Sequence, residues 1–299
     1  MYRSILVPLD GSLSSEQALP YATDLARRSD AALHLAYVHT PLIVGEGVLY
    51  LGAPDVQLWE EEKTYLLSIV ERLKKAGLKK VSGHVLEGPI ADKIQDQAMS
   101  QECDLVVMTT HGRGPMSRFW LGSVADQLVH RLPMPLLLVR TQEDAPPSSA
   151  EPAIRNMLIA LDGTPAAEQI LEPAGTLAKM LDASCTLLRV VPSVVPHGVR
   201  SHTAVSAALA DKLRAEAHVY LQRIAGMMRD RGLAVRTSLI AQANPATAIL
   251  KEAASGEYDL LALETRGRRG LPRLFLGSVA DKVVRGADVP ILIHRGLPS

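Results

Sequence analysis

The sequence predicts an α/β protein of two tandem domains, each a five-stranded parallel sheet with helices on both faces. Two observations carry this prediction. Residues 102–140 align without a gap with residues 257–295, and residues 4–10 (SILVPLD) match residues 156–162 (NMLIALD). Within each half, short apolar runs alternate with helical patterns, which is typical of βαβ units. The 299 residues are sufficient for two such domains.

Five strands are predicted in the first half because five apolar runs are bounded by turn residues. They cover about Ser4 to Leu9, Ala32 to His39, Lys80 to Leu86, Leu105 to Thr109 and Leu136 to Val139. The last strand of each half, LLLV in the first and ILIH at Ile291 to His294 in the second, is nearly all apolar. Such runs indicate strands that are covered on both faces.

Helical patterns separate these strands. The first runs from about Ser14 to Arg28 and the second from about Val56 to Lys75. Gly77 is predicted to end the second helix, with Gly232 as its counterpart, because glycine is common just after a helix. The third helix is expected to open at Gly88-Pro89 and Asn244-Pro245, and the fourth at Ser123 and Ser278.

The stretch between the halves predicts a linker. Residues 141–152 (TQEDAPPSSAEP) are rich in proline, serine and acidic residues and have no apolar period. We therefore expect a first domain at residues 1–145, a linker at residues 146–152 and a second domain at residues 153–299.

Composition restricts the partners and the compartment. The net charge is zero, so neither nucleic acid nor an anionic membrane is expected as the main partner. No apolar run approaches the roughly 18 residues of a membrane span, and a cytoplasmic location is expected. Cys103 and Cys185 lie in different halves and are predicted to be buried. No cluster of histidine, cysteine and aspartate has metal-ligand spacing.

A repeated glycine loop is the strongest functional signal. Residues 112–123 (GRGPMSRFWLGS) recur at residues 267–278 (GRRGLPRLFLGS), and Val-Ala-Asp follows each copy. Gly112 and Gly122 would let backbone amides approach a phosphate, which Ser123 would meet at a helix start. Alternatively, Ser123 caps the helix together with Asp126, close to a capping box, and the repeat is structural.

Charged residues near this loop carry two interpretations each. Arg113 and Arg118, repeated as Arg268 and Arg273, either supply positive charge to phosphates or remain solvated. Asp10 and Asp162, which end the first strand of each half, either accept hydrogen bonds from a ribose or an adenine, or cap a turn. Because strands of a parallel sheet end at one edge, these aspartates and glycine loops are expected to meet there.

On these residues the chain resembles the universal stress proteins in their tandem two-domain form. The family signature is glycine, two residues, glycine, nine residues, glycine and serine or threonine, and members that carry it typically bind ATP on a Rossmann-like domain. The resemblance covers nearly the whole chain. It implies a stress-response regulator or sensor that binds ATP, ADP or AMP without efficient turnover, with Mg²⁺ arriving only with the nucleotide. It also implies pairing of the two domains through their fifth strands, with a homodimer as a further option.

Carried over residue by residue, the resemblance implies two sites. The nucleotide-binding residues of the first are Pro8, Asp10, Val38, Met108, Thr109, His111, Gly112, Arg113, Gly122, Ser123 and Val124. Those of a second, weaker site are Asp162, Val190, Gly267, Arg268, Gly277, Ser278 and Val279.

Two departures from the signature make the sites unequal. The first glycine of the family is replaced by Thr109 in the first half and by Glu264 in the second. Threonine adds bulk but no charge, whereas Glu264 is expected to place a carboxylate beside anionic phosphates unless Arg266, Arg268 or Mg²⁺ offsets it. The first site is therefore expected to bind more tightly.

Two other functions stay open at this point. A slow ATPase or nucleotidyl-transfer enzyme would need a base, for which His111 is the local candidate. A ligand-free interaction scaffold would use Glu264 structurally, paired with Arg266 or Arg268. His34, His39 and His84 are interpreted as ordinary packed or edge residues of strands.

Overall fold

A computed structural model of the chain describes residues 1–41, 52–111, 121–141, 152–193, 204–265 and 276–296. These residues form two compact units, the first over residues 1–152 and the second over residues 153–299. The predicted linker, residues 146–152, lies outside the described residues except for its last position, so its bounds stay a prediction. Among the described helices, no stretch combines the length and the apolarity that crossing a lipid bilayer requires.

The first unit is a five-stranded parallel sheet with strand order β3-β2-β1-β4-β5. Right-handed crossovers place the helices before β3 on one face and the later helices on the other. The elements are β1 (Ser4–Leu9), α1 (Leu13–Glu16), α2 (Leu19–Ser29), β2 (Ala32–His39), α3 (Gly52–Lys75), β3 (Val81–Glu87), α4 (Ile90–Ser100), β4 (Leu105–Thr109), α5 (Ser123–Arg131) and β5 (Leu136–Val139).

The second unit repeats this topology, with all strands parallel and strand order β10-β9-β6-β7-β8. Its elements are β6 (Asn156–Ala160), a 3₁₀ helix (Ala167–Ile170), α6 (Leu171–Leu181), β7 (Ser184–Val191), α7 (Ala204–Asp230), β8 (Val235–Ala241), α8 (Pro245–Ala253), β9 (Leu260–Glu264), α9 (Ser278–Gly286) and β10 (Ile291–His294). The predicted fold class is confirmed in both units.

The central strands form the core because they are covered on both faces. Ile5, Leu6 and Val7 of β1 have no exposed surface, and all four residues of β5 are buried. Cys103 and Cys185 are buried, as predicted. Burial raises the pKa of the Cys185 thiol to about 11, which keeps it protonated and unreactive at neutral pH.

The predicted first helix is wrong in one respect, because it is broken into α1 and α2. Pro20 lies at the start of α2 and has no amide hydrogen to donate to the carbonyl of Glu16. In the second unit, Pro173 interrupts the chain in the same way, so a 3₁₀ turn precedes α6. In both units, a short helical turn therefore precedes the longer helix.

Gly77 ends α3 as predicted. It has a φ of +95°, and its N–H donates to the carbonyl of Lys74 at 2.9 Å while Leu78 N–H donates to Leu73 at 3.2 Å. This pair of bonds satisfies the last carbonyls of the helix, and the left-handed φ favours glycine. Gly232 ends α7 with the same arrangement and a φ of +84°.

Candidate functional site

The carboxyl ends of the parallel strands bring the predicted site residues to one edge of each sheet. In the first unit β1 ends just before Asp10, β2 ends at His39 and β4 ends just before Thr110. Pro8 and Val38 are half-buried on β1 and β2, where they lie opposite Ala36 and Leu86 of the neighbouring strands. In the second unit Val190 is likewise half-buried near the end of β7.

Backbone hydrogen bonds join the end of β4 to the start of α5. Thr110 N–H donates to the carbonyl of Val139 at 2.9 Å, and Gly122 N–H donates to the carbonyl of Thr110 at 2.9 Å. A Cβ at Gly122 would lie 3.0 Å from the Thr110 carbonyl oxygen, which is backbone and cannot yield easily. Gly122 is therefore required by a close approach of backbone to backbone, and its own amide is already used.

The start of α5 corrects the predicted cap. Gly122 is the N-cap and no side chain caps the helix, so Ser123 is the first helical residue rather than the cap. Asp126 N–H donates to the Gly122 carbonyl at 2.8 Å. Within the described part of the chain, the amides of Ser123, Val124 and Ala125 have no acceptor. Three donors at the positive end of a helix can bind an anion.

The second unit has the same helix start. Gly277 N–H donates to the Thr265 carbonyl at 3.1 Å, and Asp281 N–H donates to Gly277 at 2.9 Å. Ser278 is exposed and Val279 is half-buried, as are Ser123 and Val124 at the corresponding positions of α5. The glycine–serine pair therefore builds one local structure twice.

Both aspartates hold a tight turn, which is one of the two roles that the sequence left open. Asp10 Oδ1 accepts from the amide of Ser12 at 3.0 Å and from its hydroxyl at 2.6 Å. Ser12 in turn caps α1, because its Oγ accepts from Ser15 N–H at 3.0 Å. Asp162 Oδ1 accepts from Thr164 in the same way, at 2.9 and 2.6 Å. These bonds use one carboxylate oxygen in each unit.

Thr109, which replaces the first signature glycine, is buried at the end of β4, as is Met108, which precedes it in the sequence. Its hydroxyl donates to the carbonyl of His111 at 2.8 Å, and His111 Nδ1 lies 3.2 Å from the Thr110 hydroxyl. The added hydroxyl therefore fastens the chain as it leaves the strand. His111 itself is buried at this turn.

Glu264 is turned into the second unit instead of toward a ligand. Its Oε2 lies 2.9 Å from His294 Nδ1, and its Oε1 accepts from the amides of Gly296 at 3.0 Å and Thr265 at 3.1 Å. The carboxylate is buried, with 1% of the side chain exposed. Arg266 and Arg268, the two partners that the sequence suggested, lie outside the described residues. Within the described part of the chain the ion-pair partner of Glu264 is His294.

Several predicted positions lie outside the described residues. They are Gly112, Arg113 and Arg118 of the first loop and Gly267, Arg268 and Arg273 of the second. Their proposed contacts with phosphate stay predictions.

His39 is a packed residue, as the sequence predicted, but its two carboxylate partners were not predicted from the sequence. His39 is 2% exposed at the end of β2; its Nδ1 lies 2.7 Å from Glu62 Oε2 and its Nε2 lies 3.1 Å from Asp55 Oδ1. The Trp59 ring stands edge-on to the imidazole at 5.4 Å. Burial alone would lower the pKa of His39, but the two carboxylates outweigh it and raise that pKa. The signal in the sequence was the spacing of Asp55 and Glu62, two helical turns apart on one face of α3.

A sequence profile of the universal stress protein family matches residues 1–140 and again residues 153–295. The chain belongs to the universal stress protein family. The family member Rv2005c of Mycobacterium tuberculosis is 26% identical over 305 residues, which cover 97% of this chain and 96% of the relative. A universal stress protein of Mycolicibacterium smegmatis is 24% identical over 300 residues, with 97% and 96% covered.

Solved structures of the family share the fold over the whole chain. A universal stress protein from Archaeoglobus fulgidus has a TM-score of 0.69 at 19% identity, covering 98% of this chain and 96% of its own. A putative universal stress protein from Pseudomonas aeruginosa has the same TM-score at 16% identity, covering 98% and 93%. The chain therefore consists of two Rossmann-like universal stress protein domains in tandem.

Proposed function

We propose that this universal stress protein binds ATP, ADP or AMP, chiefly in the first unit, and acts as a stress-response regulator or sensor without efficient turnover. The observation that carries the proposal is the start of α5. There the amides of Ser123, Val124 and Ala125, which have no acceptor among the described residues, and the exposed hydroxyl of Ser123 lie at the edge where β1, β2 and β4 end. Donors in this arrangement suit the phosphates of a nucleotide.

The remainder of the nucleotide would occupy the same edge. Asp10 is half-buried at this edge and holds its own turn through Oδ1, and we place the ribose hydroxyls beside its carboxylate. Pro8 and Val38 would flank the base. This division into a phosphate end and a base end is the one that the resemblance to the family implies for this chain.

The inequality of the two sites rests on a changed argument. The carboxylate of Glu264 is buried and contacts His294 and the amides of Thr265 and Gly296. Direct repulsion of a phosphate is therefore weaker than the sequence suggested. We still rank the first unit higher, since Thr109 brings no charge to the strand end from which the phosphate loop departs.

Turnover is proposed to be inefficient because the candidate base serves the fold. His111 is buried, and its Nδ1 contacts the Thr110 hydroxyl at the end of β4. A general base for hydrolysis must instead reach the attacking water. Phosphate release above background that is lost in His111→Ala, with ATP affinity retained, would replace this proposal with slow hydrolysis.

The sharpest test replaces Ser123 by proline. Gly122 already has the extended backbone that precedes a proline (φ −56°, ψ 149°), and proline is favoured at the first helical position. Ser123→Pro therefore removes one amide donor and the hydroxyl without breaking α5, whereas Ser123→Ala removes the hydroxyl alone. Calorimetric titration with ATP should show affinity falling about tenfold in Ser123→Pro and less in Ser123→Ala, by the strength of hydrogen bonds to charged groups.

The matched control is Ser278→Pro, because Gly277 has the same backbone (φ −58°, ψ 143°) at the start of α9. It should leave the tighter ATP site unchanged. If Ser123→Pro binds ATP as tightly as the wild type, the proposal that the start of α5 binds the phosphates is wrong. The cytoplasmic location, the absence of nucleic-acid partners, the pairing of domains and any homodimer stay predictions.

A further inference from the structure

At the edge where the strands of the second unit end, which is its proposed ligand edge, an arginine contacts both a backbone turn and an aromatic ring. Arg189 lies on β7, and its guanidinium covers the turn at Gly163, where an added Cβ would come within 2.6 Å of Nη2 and 2.7 Å of Cζ. Its Cζ also lies 5.0 Å from the centre of the Tyr220 ring of α7. These two contacts place the guanidinium beside the turn that carries Asp162.

This guanidinium is not engaged by an anion of the described chain. A second arginine, Arg223, lies over the same ring at 5.4 Å, but it forms an ion pair with Glu168 at 2.8 Å. Arg189 has neither a hydrogen-bond acceptor nor an ion-pair partner among the described residues, although it is only half-buried. An arginine side chain offers five N–H donors in a planar fork that matches two oxygens of a phosphate.

The first unit has no such cation at the corresponding position. The strand register aligns Ser4 with Ala32 and Asn156 with Ser184, so Arg189 corresponds to Tyr37. Tyr37 is buried and stands edge-on to the ring of Tyr65 at 6.2 Å. The two ligand edges therefore differ by one positive charge beside the turn that carries the first aspartate.

The position of Arg189 indicates which part of a ligand it would meet. Gly163 directly follows Asp162, the proposed ribose partner, and Val190 directly follows Arg189 at the proposed base end. In dinucleotide sites on α/β sheets, either an acidic residue binds the 2′-hydroxyl of an unphosphorylated ribose, or a nearby arginine accommodates a phosphate at that position. In the second unit Asp162 holds its own turn through Oδ1, and Arg189 supplies a guanidinium beside that turn for the phosphorylated form.

We propose that the second unit binds an adenine nucleotide that carries an additional phosphate on its ribose, at the 2′ or the 3′ position, and that Arg189 determines this specificity. The inference rests on the proposed function, since it assumes that the carboxyl edge of each sheet binds a nucleotide. It gives the second unit a ligand of its own in place of a weakened copy of the first site.

The test is calorimetric titration of the full chain with AMP, adenosine 2′,5′-bisphosphate and adenosine 3′,5′-bisphosphate. The wild type should bind one bisphosphate at one site about tenfold or more tightly than AMP, the factor that a charged hydrogen bond supplies. Arg189→Met keeps the apolar packing on Tyr220 and should reduce that preference to about onefold. Arg223→Met is the matched control, because it removes the arginine that already has a carboxylate, and it should keep the preference.

The proline variants assign the preference to a unit. It should persist in Ser123→Pro and weaken in Ser278→Pro, which alters the proposed phosphate end of the second unit. Equal affinities of the wild type for AMP and both bisphosphates would overturn the inference, as would a preference that survives Arg189→Met. Arg189→Gln replaces Arg189→Met if the latter lowers the melting temperature of the protein.

Failure of this inference is distinct from failure of the proposed function. If ATP binding responds to Ser123→Pro while the bisphosphates bind no better than AMP, only the role of Arg189 is wrong. If no adenine nucleotide binds to either unit, the proposed function itself is wrong.

Discussion

The two units share the backbone conformation at the edge where their strands end, and they differ in the charged side chains at that edge. Both have an aspartate turn after the first strand and a glycine that bonds back to the fourth strand before a serine opens a helix. Yet Thr109 and Val139 correspond to Glu264 and His294, and His39 corresponds to Val191. Duplication has therefore kept the parts that the backbone requires, while the side chains that set electrostatics have diverged.

The ion pairs also perform different tasks. In the first unit His39 ties the end of β2 to α3, which begins after a segment outside the described residues. In the second unit Glu264 ties the end of β9 to β10 and to Gly296. Among the described residues, each unit thus has a buried carboxylate–histidine contact near the edge where its strands end, but on a different strand. Exchanging residues between corresponding positions tests whether these differences are independent.

The largest effect is expected from His294→Val, which introduces the residue of the first unit. Glu264 would keep its buried carboxylate without the imidazole that contacts it, and a buried charged group that loses a hydrogen-bond partner costs about 3 kcal/mol. Hydrogen exchange of the full chain should show that much protection lost from the amides of β9 and β10.

The double variant Glu264→Thr/His294→Val sharpens this result, because it converts the pair into the Thr109–Val139 pair of the first unit. It should regain most of the lost protection. If the double variant is as unstable as His294→Val alone, the Glu264–His294 contact is not what stabilises this edge.

A smaller effect, about 2 kcal/mol at pH 6, is expected from His39→Val, which introduces the residue found at Val191. Glu62 and Asp55 would lose the donors that satisfy them at a buried site. The pKa of His39 is raised in the folded state, so its stabilising charge is fully present below the unfolded value of about 6.5 and is lost as pH rises through the folded pKa.

The measurement is protection of β2 amides in wild type and His39→Val across pH 5.5 to 8.5, a range that brackets the ordinary histidine pKa of about 6.5. The difference between them should be largest at low pH and shrink as pH rises. Both proteins retain His34 and His84, whose pKa values burial lowers, so these opposite titrations cancel in the comparison. Glu87 lies opposite His39 on β3 and is also common to both. A pH-independent difference would mean that His39 acts by packing alone.

The sequence was most informative where burial on two faces decides the structure. The predicted bounds of β1, β2, β4, β5 and β10 agree with the observed ones, because each is an apolar run that polar or turn residues interrupt. Local sequence was less informative about the start of α5. The cap there depends on a tertiary bond between Gly122 and Thr110, whereas Ser123 and Asp126 matched a capping pattern by themselves.

Partners distant in sequence could not be predicted. Glu264 pairs with a residue thirty positions away on a neighbouring strand, while its predicted pairing with Arg266 or Arg268 lies outside the described residues and stays a prediction. The joint change from Thr109 and Val139 to Glu264 and His294 was visible between the repeats, but its meaning depends on knowing that the two strands are neighbours. His39 is packed as predicted, but its partners could not be predicted for the same reason, since Glu62 reaches it from a different element.

The smallest expected effect concerns Gly163 and tests the contact between its turn and Arg189. Gly163 has a φ of +86° and Gly11, at the corresponding turn, a φ of +81°, so alanine should cost each turn about 1 kcal/mol through the left-handed backbone. Only Gly163→Ala also places a Cβ against the Arg189 guanidinium. Because the far end of an arginine moves easily, the extra cost in stability should be small. The displaced guanidinium should nevertheless reduce the preference for a ribose bisphosphate in Gly163→Ala and leave it intact in Gly11→Ala. An equal loss in both variants would show that the turn conformation, rather than the position of Arg189, controls the ligand.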